Sequence, residues 1–292
     1  MVKRTVTGIV MGGALFLILW LTSFSQTVFD IAVLVFCILA TYEMYSATKR
    51  AKTKIKDKNG YNISIISLII AVVIIYPMTY FYGYTGILLT IVLAIFIAFI
   101  EFVFDDKKMF EDFTTNVLII FYPIAILGLV FALGKFYGII PCVLAIGIST
   151  FSDATAYFVG ASIGKKKIFP KISPKKTYAG CIGGLFGGAI GGVLVYLIFE
   201  MWHFPSNIMF TFGSLVNGNV GQTILIYAVI GFVIAIFSEI GDLAASRIKR
   251  EVGIKDYGWI LGSHGGAMDR IDSIMFTIIC VTFIMFVINI IG

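Results

Sequence analysis

Apolar residues gather along this chain in long runs, and short polar stretches separate them. The runs lie near 7–24, 28–46, 62–82, 84–104, 113–133, 136–160, 179–201, 222–245 and 273–291. Crossing a hydrocarbon core of ~30 Å takes roughly 20 mostly apolar helical residues, so the pattern predicts nine spans. The edge between the fourth and fifth is the least sharp, because Glu101, Asp105 and Asp106 fall there. Lys3 and Arg4 ahead of the first run imitate the start of a signal peptide. That run is too long for a typical signal core and no A-x-A-like cleavage site follows, so it is read as a retained span. The predicted fold class is all-α, a polytopic integral membrane protein of about nine transmembrane helices. Residues 1–135 hold about five of them. Residues 136–292 hold the others, together with the long polar loops 161–178 and 246–272, where the chemistry is expected.

Charge placement tests that count. With the N-terminus inside, one face receives Lys3 and Arg4, the cluster from Lys49 to Lys58, Lys107 and Lys108, the lysines from Lys165 to Lys176, and Arg247, Lys249, Arg250, Lys255 and Arg270. These are 21 of the 22 basic residues, and only Lys135 falls opposite. Such asymmetry marks the cytoplasmic face, and a count wrong by one span would scramble it. The N-terminus is therefore expected in the cytoplasm and the C-terminus outside, in the cell's inner (plasma) membrane, with both long loops cytoplasmic.

Composition agrees. Hydrophobic residues make up 59% of the 292 positions and charged residues 13%. Soluble domains carry about 45–50% and about 25%, so a water-soluble fold is excluded. The net charge of +6 orients the protein and attracts anionic headgroups, and does not speak for nucleic acid. Cys37, Cys142, Cys181 and Cys280 sit singly in different spans, and the two histidines are His203 and His264. A structural zinc site is not expected.

The first long loop continues from an apolar span that contains Asp153. A carboxylate inside the membrane is costly and usually faces a cavity or a partner, which makes Asp153 a functional candidate. Ser173, Lys175, Lys176 and Thr177 around Pro174 suit a polyphosphate, as point charges beside hydroxyl donors. The competing reading of the lysines is topological charge alone. Gly180, Gly184, Gly188 and Gly192, with Gly183, Gly187 and Gly191 on an adjacent ridge, form a small-xxx-small surface for close helix packing within one subunit or in a homodimer through 180–192.

In the second loop, Glu239, Asp242, Ser246 and Lys249 fall at helical spacing and share a face. Asp269 and Asp272, three apart, lead into the last span. Three carboxylates amid cationic groups read either as a divalent-metal site attending phosphates or as a solvated, salt-bridged loop.

The run from Ser246 to Asp272 resembles the signature of the phosphatidate cytidylyltransferases, or CDP-diacylglycerol synthases: S-x-x-K-R, four residues, K-D, then H-G-G-x-x-D-R-x-D. Ser246, Lys249, Arg250, Lys255, Asp256, His264, Gly265, Gly266, Asp269, Arg270 and Asp272 all fall in place. Gly241-Asp242-Leu243, Ser152 to Gly160 and Ser173 to Thr177 are similar to the family too. The first ~150 residues match only as apolar spans. The chain departs from typical members at Ala245, Tyr257, Gly262, Ser263, Ala267, Tyr178 and Ala179, which flank the charged positions.

The resemblance implies an enzyme of phospholipid biosynthesis, a nucleotidyltransferase that moves CMP from CTP to phosphatidic acid and releases pyrophosphate. It assigns catalysis to Asp242, Lys249, Arg250, His264, Asp269, Arg270 and Asp272. Substrate contacts fall to Asp153, Ser173, Lys175, Lys176, Thr177, Ser246, Lys255 and Asp256. Asp242, Asp269 and Asp272 would hold Mg²⁺, with a second metal or a monovalent cation left open. Asp153 is assigned to metal or nucleotide, and His264 to a phosphate hydrogen bond or a structural role. The partners implied are CTP, phosphatidic acid and membrane lipid. Two rivals stand beside this: a CTP-dependent polyprenol or dolichol kinase, which would transfer a terminal phosphate, and a transporter using Asp153, Glu101 and Glu239 along an ion path.

Overall fold

A computed structural model describes residues 25–51, 60–201, 219–260 and 265–291. Eight helices among them are long and apolar enough to cross a membrane. They are α1 (Gln26–Lys49), α2 (Ile65–Tyr82), α3 (Tyr84–Phe104), α4 (Phe110–Tyr137), α5 (Ile140–Ile163), α6 (Tyr178–Met201), α7 (Val220–Glu251) and α8 (Met268–Ile291). These coincide with the second to ninth expected spans, and the expected first, 7–24, lies outside the described residues. The protein is an all-α polytopic membrane protein in architecture, with one local exception among the described residues. Lys167–Phe169 (β1) pairs antiparallel with Ser173–Thr177 (β2), where a loop was expected. Pro170 and Pro174 bar a helix there, and a tight hairpin satisfies the backbone instead.

The chain divides into two compact units, Met1–Lys135 with Ile248–Ile271, and Phe136–Arg247 with Asp272–Gly292. In the first, α2 and α3 form a hairpin whose turn residue, Gly83, sits at φ 60°, a conformation that a side chain resists. Gly86 lies so close to α2 that an added Cβ would come within 2.0 Å of the Met78 carbonyl oxygen. Ser64 caps α2 by accepting from the Ser67 amide. In α4 a π-helical turn spans Ile120–Ala125 around Pro123, because proline has no N–H to give the preceding turn. The blurred boundary between the fourth and fifth runs resolves through side chains. Glu101, near the end of α3, accepts from Ser64 at 2.7 Å and pairs with Lys108. Asp112 accepts from the Asn62 amide at 2.8 Å and from the Met109 amide at 2.8 Å, which starts α4.

In the second unit the glycines of α6 do what their spacing predicts. Added Cβ atoms at Gly183, Gly187 and Gly191 would strike Val159, Thr155 and Phe151 of α5. At Gly188 and Gly192 they would strike Ala235 and the Tyr227 carbonyl of α7. Both ridges are consumed inside the unit, and the face left exposed along this helix carries Ile182, Phe186 and Ile190. A Gly188→Val substitution is expected to destabilise the protein by about 2 kcal/mol or more, since neither backbone can withdraw. Ile190→Leu on the outward face should stay within about 0.5 kcal/mol. Thermal unfolding in detergent, compared between the two variants, checks the assignment of these faces.

Candidate active site

The site residues of the second unit are organised by the hairpin. Thr177 ends β2 and caps α6, its hydroxyl accepting from the Gly180 amide at 3.1 Å. With Thr177 fixed, Lys176 points inward. Its ammonium lies 2.6 Å from Glu239 Oε2 and 2.8 Å from Asp242 Oδ2 on α7, and donates also to the Glu239 carbonyl. Burial opposes the charge on Lys176, but Asp242 and then Glu239 outweigh it and hold its pKa above the ordinary lysine value. The contact is therefore complete at neutral pH and is lost only as pH climbs above the usual lysine range. Asp153 on α5 accepts from Ser273 Oγ of α8 at 3.1 Å. Ser149 joins Ser273 at 3.0 Å and Ser238 at 2.9 Å, extending a chain of buried hydroxyls across three helices. Asp272 is buried and accepts from the Ser273 amide at 2.9 Å.

In the first unit the second loop closes on Asp269. α7 ends where Gly253 adopts φ 75°, with the Ile254 amide donating to the Lys249 carbonyl and the Gly253 amide to that of Arg250. This is a Schellman arrangement, and it turns the chain back. Asp269, in the first turn of α8, then gathers three donors. Lys249 Nζ lies 3.0 Å from Oδ1, while the Tyr257 and Gly266 amides donate to Oδ2 at 2.8 and 3.0 Å. The Lys249 ammonium also stands over the buried Tyr257 ring, 5.4 Å from its centroid. Two amides and a cation around one carboxylate make a rigid loop base.

Among the described residues, no three carboxylate, thiol or imidazole groups stand together as a ready cage for a metal ion. Asp242 and Asp269 face lysine ammonium groups in this structure. Carboxylate oxygen is in general the donor that a hard cation such as Mg²⁺ takes.

A family model described as the cytidylyltransferase family matches residues 2–288. The chain belongs to that family. Curated relatives named phosphatidate cytidylyltransferase include those of Brucella abortus biovar 1 (strain 9-941), 33% identical over 139 residues, and Haemophilus influenzae (strain ATCC 51907 / DSM 11121 / KW20 / Rd), 35% identical over 123 residues. The protein of Bacillus subtilis (strain 168) is 33% identical over 125 residues. These matches cover 48%, 42% and 43% of this chain and 44%, 38% and 39% of the relatives. The chain thus spans less than half the length of the curated relatives it matches.

The expected site residues therefore separate into groups. Lys176, Asp242 and Asp153 lie in one polar cluster of the second unit around the buried Glu239, with Lys176 and Asp242 half-buried and Asp153 exposed. Lys249 and Asp269 form the loop base of the first unit. Lys175, Arg250, Lys255, Asp256 and Arg270 are exposed, and Ser173 and Ser246 are half-buried. His264 lies outside the described residues, as do Gly262 and Ser263. Sequence reasoning passed over Glu43, a buried carboxylate of α1 whose Oε2 accepts from the Met268 amide at 2.9 Å. Its signal was the one that singled out Asp153, an acid inside an apolar run. Replacing Lys176 by Met leaves the buried Glu239 carboxyl without its cation, so the variant should lose about 3 kcal/mol of stability. Lys175→Met, on the exposed side of the same strand, should lose almost none. Chemical denaturation of both in detergent measures the difference.

Proposed function

We propose that the chain transfers CMP from CTP to phosphatidic acid, giving CDP-diacylglycerol and pyrophosphate. Family membership supports the reading, as do the names that its relatives carry. The observation that carries it is the Lys176 clamp. A lysine serving only to orient a membrane protein gains nothing from burial between Glu239 and Asp242, since burying charges is costly unless they are paired.

An oxygen of the phosphatidate phosphate, anionic near neutral pH, attacks the α-phosphorus of CTP. A new P–O bond forms as the bond to the β-phosphate oxygen breaks, and pyrophosphate departs with that electron pair. No serine or histidine nucleophile is required, so the protein's task is to position two polyanions and balance their charge. The exposed Lys175, Arg250, Lys255 and Arg270 are assigned to substrate phosphates, with Ser173, Thr177 and Ser246 as hydroxyl partners and Asp256 at the loop edge. Lys176 and Lys249 instead hold the carboxylates in place. Asp242, Asp269 and Asp272 are the groups assigned to Mg²⁺, which would neutralise phosphate charge when bound. Asp153, held by Ser273, is assigned to orientation of that polar cluster. The lipid's acyl chains remain in the bilayer, and the loops lie on the cytoplasmic side of the inner membrane, as the charge asymmetry favours.

The deciding measurement uses purified protein with phosphatidic acid, Mg²⁺ and CTP labelled at the α- or the γ-phosphate. Alpha label should enter the lipid with release of pyrophosphate, and both should fall at least about 100-fold in Asp269→Asn. Gamma label entering an added polyprenol would establish the kinase instead. Transfer of neither label by folded protein would end the transferase reading. For orientation, Lys166→Cys in a cysteine-free background should react with an impermeant maleimide in inside-out vesicles and not in right-side-out ones.

A further inference from the structure

Glu43 lies in α1, more than 200 positions from the signature loop in sequence, yet the loop is built against it. The carboxylate is buried, 2% exposed. Its Oε2 accepts from the amide of Met268, the first residue of α8, at 2.9 Å. A helix's first amides have no partner within the helix, so this carboxylate supplies what the local chain does not. Oε1 is buried and has no hydrogen-bond partner among the described residues. Around it the loop backbone closes in. A Cβ added at Gly258 would come within 2.2 Å of Oε1, and one at Gly266 within 2.2 Å of Oε2. Neither glycine has positive φ, unlike Gly265 at 81°. Space beside Glu43 is therefore what excludes a side chain at those two positions.

Asp269 ties the same stretch at Tyr257 and Gly266. Glu43 adds an anchor at Met268 and a wall behind Gly258 and Gly266, all within one compact unit. We propose that Glu43 is a positioning residue, fixing Gly258, Gly266 and Met268 so that the neighbouring Lys255, Asp256 and Arg270 meet CTP in a single arrangement. This rests on the transferase reading of the site, and it adds to the signature a residue from the N-terminal helices.

The test compares Glu43→Ala and Glu43→Gln in the full-length protein in detergent. Amide hydrogen exchange is followed across the chain, and KM for CTP and kcat are measured per folded molecule. Glu43→Ala should speed exchange at Gly266 and Met268 while leaving the β1–β2 hairpin unchanged. It should raise KM for CTP about tenfold with kcat changed less, as misplacement of a binding loop does. Glu43→Gln keeps the shape and one acceptor oxygen, and should restore both readouts to within about threefold of wild type. A residue that merely stabilises the fold would lower the yield of active protein without moving KM. Gly266→Ala should be better tolerated in the Glu43→Ala background than alone, because the obstructing carboxylate is gone. Unchanged exchange at Met268 in Glu43→Ala, or an unchanged KM for CTP, would overturn the proposal. If wild type transfers no label while the exchange pattern holds, the transferase reading fails and the contact stands.

Discussion

The pairing of Lys176 with Glu239 and Asp242 is the interaction from which the second unit takes its shape. Glu239 is a buried acid in the middle of a membrane-length helix, and such a charge persists only where a cation and hydrogen bonds meet it. The cation arrives from β2, so the hairpin must dock against α7. The next residue, Thr177, caps α6, so the start of that helix is set by the same contact. Glycines then become necessary along α6, because helices drawn this close have no room for side chains. At Gly184 an added Cβ would lie 2.7 Å from Glu239 Oε1 itself. Charge, cap and glycine ridge are successive consequences of a single buried pair.

The first unit meets the same constraint with different chemistry. Asp269 is satisfied by Lys249 and two amides, Glu101 by Lys108 and Ser64, and Asp112 by two amides. Each arrangement uses backbone N–H groups or lysines that lie near helix ends, and in a low-dielectric interior such hydrogen bonds are strong. Acids near the ends of apolar helices thus connect short polar segments to the membrane-spanning part of the fold.

Much of this was legible from residues alone, and the rest was hidden for identifiable reasons. Apolar periodicity located the spans because lipid imposes their length. Asp153, Lys176, Asp242 and Asp269 stood out as charges beside or inside apolar runs. The hairpin escaped notice because two very short strands, one ending just before Pro170 and one containing Pro174, show no alternation to read. The partners of Lys176 and Lys249 escaped for another reason. A count of positive residues on one face records how many there are, not which carboxylate each one meets. Lys176 is expected at the substrate and Lys249 in catalysis, and in this structure each also stands against an acid. The overrun of α7 to Glu251 also went unseen, because hydropathy ends a helix where the lipid ends and not where the backbone bonds do.

Glu43 shows why a short motif can depend on distant sequence. The signature places two glycines side by side, and they are glycine for unlike reasons. Gly265 needs a backbone conformation closed to other residues, which is a local demand. Gly266 needs an absence of volume, and that demand comes from a carboxylate 223 positions earlier, by the numbering of the two residues. A reader of the motif sees one pattern where two mechanisms operate. The second is recoverable only when α1 and the loop are viewed together, because an acid inside an apolar run draws notice without naming the loop that it meets. It follows that the N-terminal helices cannot be regarded as membrane anchoring alone. One of them contributes a wall of the loop, and a substitution there acts on the signature as directly as one within it.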